Sequence, residues 1–192
     1  MPINTITYPE KNKLHPLKFA LWIGIASLVM MFGAFTSAYM VRQAAGNWLE
    51  FKLPVQFLWS TVVIVLSSIT LHFSYRSFKN GNGKLYKQLL VLTFLLGILF
   101  VVSQYLGWQD MQKIGVDFNG NPSGSFVYLI SSVHVLHVLG GLTALLVAIY
   151  YAFSLRYYVT PKRLLRFEIV CQYWHFVDVL WIYLFIFFLL QR

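Results

Sequence analysis

Five stretches of this chain are apolar for long enough to cross a lipid bilayer, which leaves little room for anything else. They run from Leu17 to Val41, Pro54 to Tyr75, Leu89 to Gln109, Phe126 to Leu155 and Phe167 to Leu190. Each reaches the roughly 20 residues that a helix needs to span ~30 Å of hydrocarbon. Lipid offers no hydrogen bonds to a bare backbone, so each run is predicted to be a helix. The breaks between them are rich in turn residues: Gly46-Asn47, the polar run Lys79 to Lys84, the stretch Gly115 to Ser125, and Thr160-Pro161-Lys162-Arg163. The expected fold is therefore all-α, a polytopic membrane protein with a bundle of five transmembrane helices in one domain over residues 1–192. Only 11% of the residues are charged, against about 25% in a soluble domain, which excludes a separate soluble domain of any size.

Loop charge predicts the orientation, because Lys and Arg are retained on the cytoplasmic side. Lys11, Lys13 and Lys18 precede the first span, Arg76, Lys79, Lys84 and Lys87 flank the second loop, and Arg156, Lys162, Arg163 and Arg166 flank the fourth. The opposite side holds Arg42, Lys52, Lys113 and Arg192. An inside N-terminus and an outside C-terminus follow. The net charge of +9 thus marks topology and anionic lipid rather than nucleic acid, which would need a basic surface on a soluble domain. The segment before Pro16 lacks the pattern of a cleaved signal peptide, so the first span is expected to be retained. One cysteine, Cys171, excludes an internal disulfide and a multi-cysteine metal site.

Ionisable groups at bilayer depth cost about 2.5–3.5 kcal/mol on insertion scales, so they need partners. Five are expected within the last two spans: His134 and His137, three apart on one helix face, and Glu168, His175 and Asp178 on the next helix. At about 1.5 Å per residue, His137, His175 and Asp178 fall in the middle third of the membrane, so a pairing between the fourth and fifth helices is feasible. Three readings compete. A metal or haem site would use the histidines, but di-metal bundles need a repeated Glu-x-x-His pattern and two further Glu. A proton or ion path would want acidic groups at several depths, and the first three span cores contain none. A structural network would hydrogen-bond across helices, fix their register or hold lipid headgroups.

Small residues four apart, Gly33 with Ser37 and Ala34 with Ala38 on the first helix and Gly140, Gly141, Ala144 and Ala148 on the fourth, are expected at helix contacts. Trp22, Trp59 and Trp108 are expected at the interfacial belt. Ser60, Thr61, Ser67, Ser68 and Thr70 are expected to bond to carbonyls of their own helix. No span core contains proline, which argues against the broken helices of a transporter.

The residues Arg166-Phe167-Glu168 and Tyr173-Trp174-His175-Phe176-Val177-Asp178-Val179-Leu180-Trp181, preceded by His134-Val135-Leu136-His137-Val138-Leu139-Gly140, resemble the last two helices of subunit III of the haem-copper oxidases, the cytochrome c oxidase family. The resemblance extends over nearly the whole chain and matches the short bacterial form, which has five helices instead of seven. It implies an accessory subunit in the bacterial cytoplasmic membrane, placed against the catalytic subunit I, with a donor-binding subunit II and other oxidase subunits as partners, and it allows a larger respiratory supercomplex. It implies no catalytic residue, metal or redox cofactor in this chain, but bound phospholipid and support of assembly and sustained proton uptake. His134, His137, Glu168, His175 and Asp178 correspond to a structural and lipid-binding network, and Arg156, Lys162, Arg163 and Arg166 are candidates for lipid headgroups. The sequence departs from the family pattern at Leu28 and Gly107, where carboxylates are common, and at Gln172, where an aromatic is common. Two alternatives stay open: subunit III of a quinol oxidase, and a haem- or metal-binding membrane enzyme using the intramembrane histidines.

Overall fold

The computed structural model describes residues 15–191, so Lys11, Lys13 and Arg192 of the charge pattern lie outside the described residues. Five helices cover nearly all of it: α1 (Pro16–Ala44), α2 (Val55–Lys79), α3 (Gly83–Lys113), α4 (Pro122–Ser154) and α5 (Pro161–Leu190). All five are long and apolar enough to cross a membrane. Most run past the hydropathic limits because polar caps start them in the loops. Asn82 accepts from Leu85 N at 3.2 Å, Asn121 from Ser123 N at 3.0 Å and Thr160 from Arg163 N at 3.4 Å, satisfying amides that a helix start leaves free. Proline opens α1, α4 and α5, where its missing N–H costs nothing. Gly81 and Gly115 adopt φ of +83° and +80°. Each ends the preceding helix, with Asn82 N reaching back to Ser77 O and Val116 N to Met111 O, both at 3.0 Å.

Helices α2, α3, α4 and α5 form a closed ring in which each packs against the next and α5 returns to α2. α1 lies outside that ring, over the seam between α4 and α5, and touches neither α2 nor α3 among the described residues. Trp174 and Trp181, both at most 1% exposed, point from α5 into the centre of the ring. Trp174 needs glycine opposite it. A Cβ at Gly97 of α3 would lie 2.7 Å from Leu142 and 2.8 Å from Trp174, and one at Gly141 of α4 would lie 2.9 Å from Trp174. The expected contact role of Gly141 is met there.

The expectation for α1 is corrected. Its buried stripe is Phe32, Thr36 and Tyr39, large side chains spaced by one helical turn that fill the α4–α5 seam. Gly33, Ala34, Ser37 and Ala38 are exposed on the other side, and a Cβ on Gly33 would meet nothing within 4 Å. The aromatic stripe takes this seam by packing fit and by the Thr36–Tyr183 hydrogen bond at 3.1 Å, neither of which the small-residue face supplies. Trp108 is also not a simple interfacial anchor: its indole donates to Ser131 Oγ at 3.0 Å, turning it toward α4.

Candidate functional site

The five ionisable residues predicted on α4 and α5 are not gathered into one network. The rotational setting of α5 decides this. With Trp174 and Trp181 aimed into the ring, Asp178, four residues after the first and three before the second, occupies the same face, and His175 turns toward α2. His175 Nδ1 and Ser68 Oγ of α2 are 2.5 Å apart, and the exposed ring of His72 lies 6.3 Å from that of His175. Asp178 is only 2% exposed, and neither carboxylate oxygen has a hydrogen-bond partner among the described residues. Ser68 lies within reach of Asp178 as well as of His175 Nδ1.

His134 occupies a different place. It is fully buried against the rings of Trp181 at 5.1 Å and Phe100 at 5.9 Å, and neither ring nitrogen is hydrogen-bonded. His137 faces α1: its ring sits 5.8 Å from Phe32, its Nδ1 is 2.7 Å from Val133 O, and its own carbonyl accepts from Tyr173 OH at 3.1 Å. Glu168 lies at the end of the bundle that carries the basic loops, where Lys18 Nζ of α1 binds its Oε1 at 2.7 Å. The α4–α5 pairing of acid with histidine therefore does not form, because α1 and α2 claim these residues from opposite sides of α5. Among the described residues no three His, Cys, Asp or Glu side chains converge as metal ligands would.

The α2 hydroxyls matter more than sequence reading allowed. Ser60 and Thr61 donate to Phe57 O, Ser67 to Ile64 O and Thr70 to Ser67 O, as expected within one helix. Their spare lone pairs then accept from neighbouring helices. Gln104 Nε2 binds Ser60 Oγ at 2.7 Å, Trp174 Nε1 binds Ser67 Oγ at 3.0 Å and Trp181 Nε1 binds Thr61 Oγ1 at 3.0 Å. Both central indoles are thus satisfied by α2, as buried tryptophans require. The signal was in the sequence: the α2 hydroxyls repeat at seven residues, Ser60 with Ser67 and Thr61 with Ser68, opposite two tryptophans seven residues apart.

The four cations of the α4–α5 loop play unequal parts. Arg163 Nη1 donates to the carbonyls of Arg156 at 2.9 Å and Tyr158 at 3.4 Å, so this guanidinium holds the loop in shape. Arg156 stacks near the Tyr158 ring at 5.7 Å, while Lys162 and Arg166 are exposed. Tyr157 donates to Phe78 O at 2.7 Å. Burial pushes its phenol up from the ordinary tyrosine range, so it stays a neutral donor at physiological pH. Above this loop runs a groove of about 180 Å³ lined by Tyr86, Ala148, Tyr151, Phe167, Arg163 and Arg166 among others. It is apolar along its length and cationic where the two arginines reach it.

Across residues 13–191 the chain matches the family described as cytochrome c oxidase subunit III. It belongs to that family. It is 31% identical over 180 residues to the probable cytochrome c oxidase subunit 3 of Mycobacterium tuberculosis, covering 91% of this chain and 87% of that one. It is 30% identical over 182 residues to the cytochrome c oxidase subunit 3 of Corynebacterium diphtheriae, covering 91% and 88%. The subunit 3 of Rattus norvegicus is 27% identical over 181 residues, 88% of this chain but 67% of the longer rat protein. With five helices long and apolar enough to span a bilayer, it is a multi-pass membrane protein.

Proposed function

We propose that this chain is a non-redox accessory subunit of a bacterial terminal oxidase that passes electrons from cytochrome c to oxygen. In this reading it stabilises the catalytic subunit, holds phospholipid and sustains proton uptake. The observation that carries the reading is the match over residues 13–191 together with near full-length similarity to subunits of that name in Mycobacterium and Corynebacterium. Those organisms favour the cytoplasmic membrane of a bacterium. The loops α2–α3 and α4–α5, with Lys18, gather the basic residues at one end of the bundle, which favours that end as cytoplasmic. Haem and copper belong to the partner subunits in this reading.

The groove between α4 and α5 is the proposed lipid site. An acyl chain would lie along Ala148, Tyr151 and Phe167, with its phosphate at Arg166, whose side chain meets no partner among the described residues, and with Arg163 contributing from the loop it holds. The test is affinity purification of the chain from its native membrane in mild detergent, followed by mass spectrometry of bound proteins and lipids. Recovery of a haem-copper subunit in equal amount, with phospholipid that Arg166→Gln releases, is expected. Recovery of the chain alone overturns the accessory reading, and lipid retained unchanged by Arg166→Gln overturns the lipid site.

A further inference from the structure

We propose that the seam between α2 and α5 is a dead-ended proton well, with Asp178 holding the proton and His72 and His175 connecting it to the aqueous phase at the basic end. This stands apart from the accessory-subunit reading, because it rests on groups within this chain alone. Asp178 is almost completely buried, and the one donor within its reach, the Ser68 hydroxyl, also meets His175 at 2.5 Å. An ionised carboxylate so placed costs several kcal/mol, whereas a carboxylic acid can remain there. No cation faces it. From α2 come Ser68 and His72, and from α5 itself His175 one turn away, with Cys171 and Glu168 further toward the basic end. Lys18 of α1 is held by Glu168 at 2.7 Å, while His134 of α4 lies across Trp181.

Toward the basic end the approach to the acid is polar. His72 is exposed, its ring is 6.3 Å from that of half-buried His175, and His175 meets the Ser68 hydroxyl that lies beside Asp178. α1 packs on α4 and α5 and not on α2 among the described residues. On the far side of Asp178 the seam is closed. Trp181 stacks on Phe57 with centroids 6.0 Å apart, Phe100 packs edge-on at 5.2 Å, and all three are completely buried. The Trp181 indole N–H, the one polar group of that plug, is spent on Thr61. Protons in this proposal enter and leave by the basic end.

The test is infrared spectroscopy of the full chain in lipid nanodiscs, following the protonated-carboxyl stretch during transfer into deuterated buffer at neutral pH. The chain has six Asp and Glu residues, few enough to assign the band by difference. The expected result is a carboxylic-acid band that Asp178→Asn removes, and whose deuterium shift is slowed several-fold by His72→Leu and by His175→Leu. A spectrum unchanged by Asp178→Asn overturns the proposal, as does exchange that neither histidine variant slows. Should Asp178→Asn fail to fold, Ser68→Ala leaves the acid in place and alters its surroundings. A shifted band then supports the assignment, and an unmoved band overturns it.

Discussion

Helix α1 and the ring of α2 to α5 are held by different means. In α5, 44% of the membrane span is buried within the chain; in α1 it is 11%. The ring is fixed by indoles inserted opposite glycines and bonded to α2 hydroxyls. α1 is fixed by an aromatic stripe and by bonds near its ends: Lys18 to Glu168 at 2.7 Å, Thr36 to Tyr183 at 3.1 Å, and Gln43 to the carbonyl of Gln191 at 3.0 Å. Lipid chains are as apolar as leucine, so neither association draws on a hydrophobic driving force between helices. Packing fit and hydrogen bonds decide both, and α1 has less of each. The ring is the self-sufficient part of the molecule, and α1 keeps most of its surface for whatever surrounds it.

The largest test of this contrast is Trp174→Ala, expected to cost about 3–5 kcal/mol by emptying the centre of the ring and stranding Ser67. Reversible unfolding in mixed micelles measures it, and a loss below 1 kcal/mol would mean that the ring does not depend on its indoles. Gly97→Val is next, at about 1–3 kcal/mol, because the new side chain must displace Leu142 and Trp174. Lys18→Met is expected to cost up to about 1 kcal/mol and to free α1 alone. Disulfide trapping between cysteines placed on α1 and α5 reports that loosening, while ring unfolding stays unchanged. The smallest effect in the isolated chain is that of Gly33→Leu, within about 0.5 kcal/mol, since nothing lies opposite it. If the same variant lowers recovery of the oxidase partners, the small-residue side of α1 faces protein; unchanged recovery places it against lipid.

Hydropathy made all five helices legible, and Thr160-Pro161 marked the true start of α5 as a break. Their ends were less legible because a hydropathy window reports the hydrocarbon, whereas Asn82 and Asn121 set helix starts outside it. The motif residues of α4 and α5 were found, but not their grouping. A spacing of three or seven places residues on one face of a helix without saying which neighbour that face meets. That depended on two tryptophans setting the rotation of α5 and on the position of α1, which no local pattern encodes. The loop cations were legible as a set, while the division of labour within it, Arg163 holding the loop and Arg166 free, depends on backbone carbonyls that only the folded turn presents.

The α2 hydroxyls give the bundle a handedness of exchange. Ser60, Thr61 and Ser67 each donate along their own helix and receive from another, so this stretch of α2 acts as a row of sockets and its neighbours supply the plugs. Turning α2 by one residue would move Ser60, Thr61 and Ser67 away from Gln104, Trp181 and Trp174 at once, leaving three N–H groups bare in a medium without water. Such a row tolerates no partial fit. A newly inserted chain would therefore reach its proper helix order through a single cooperative locking step, with α2 as the element that must be oriented before the centre can close.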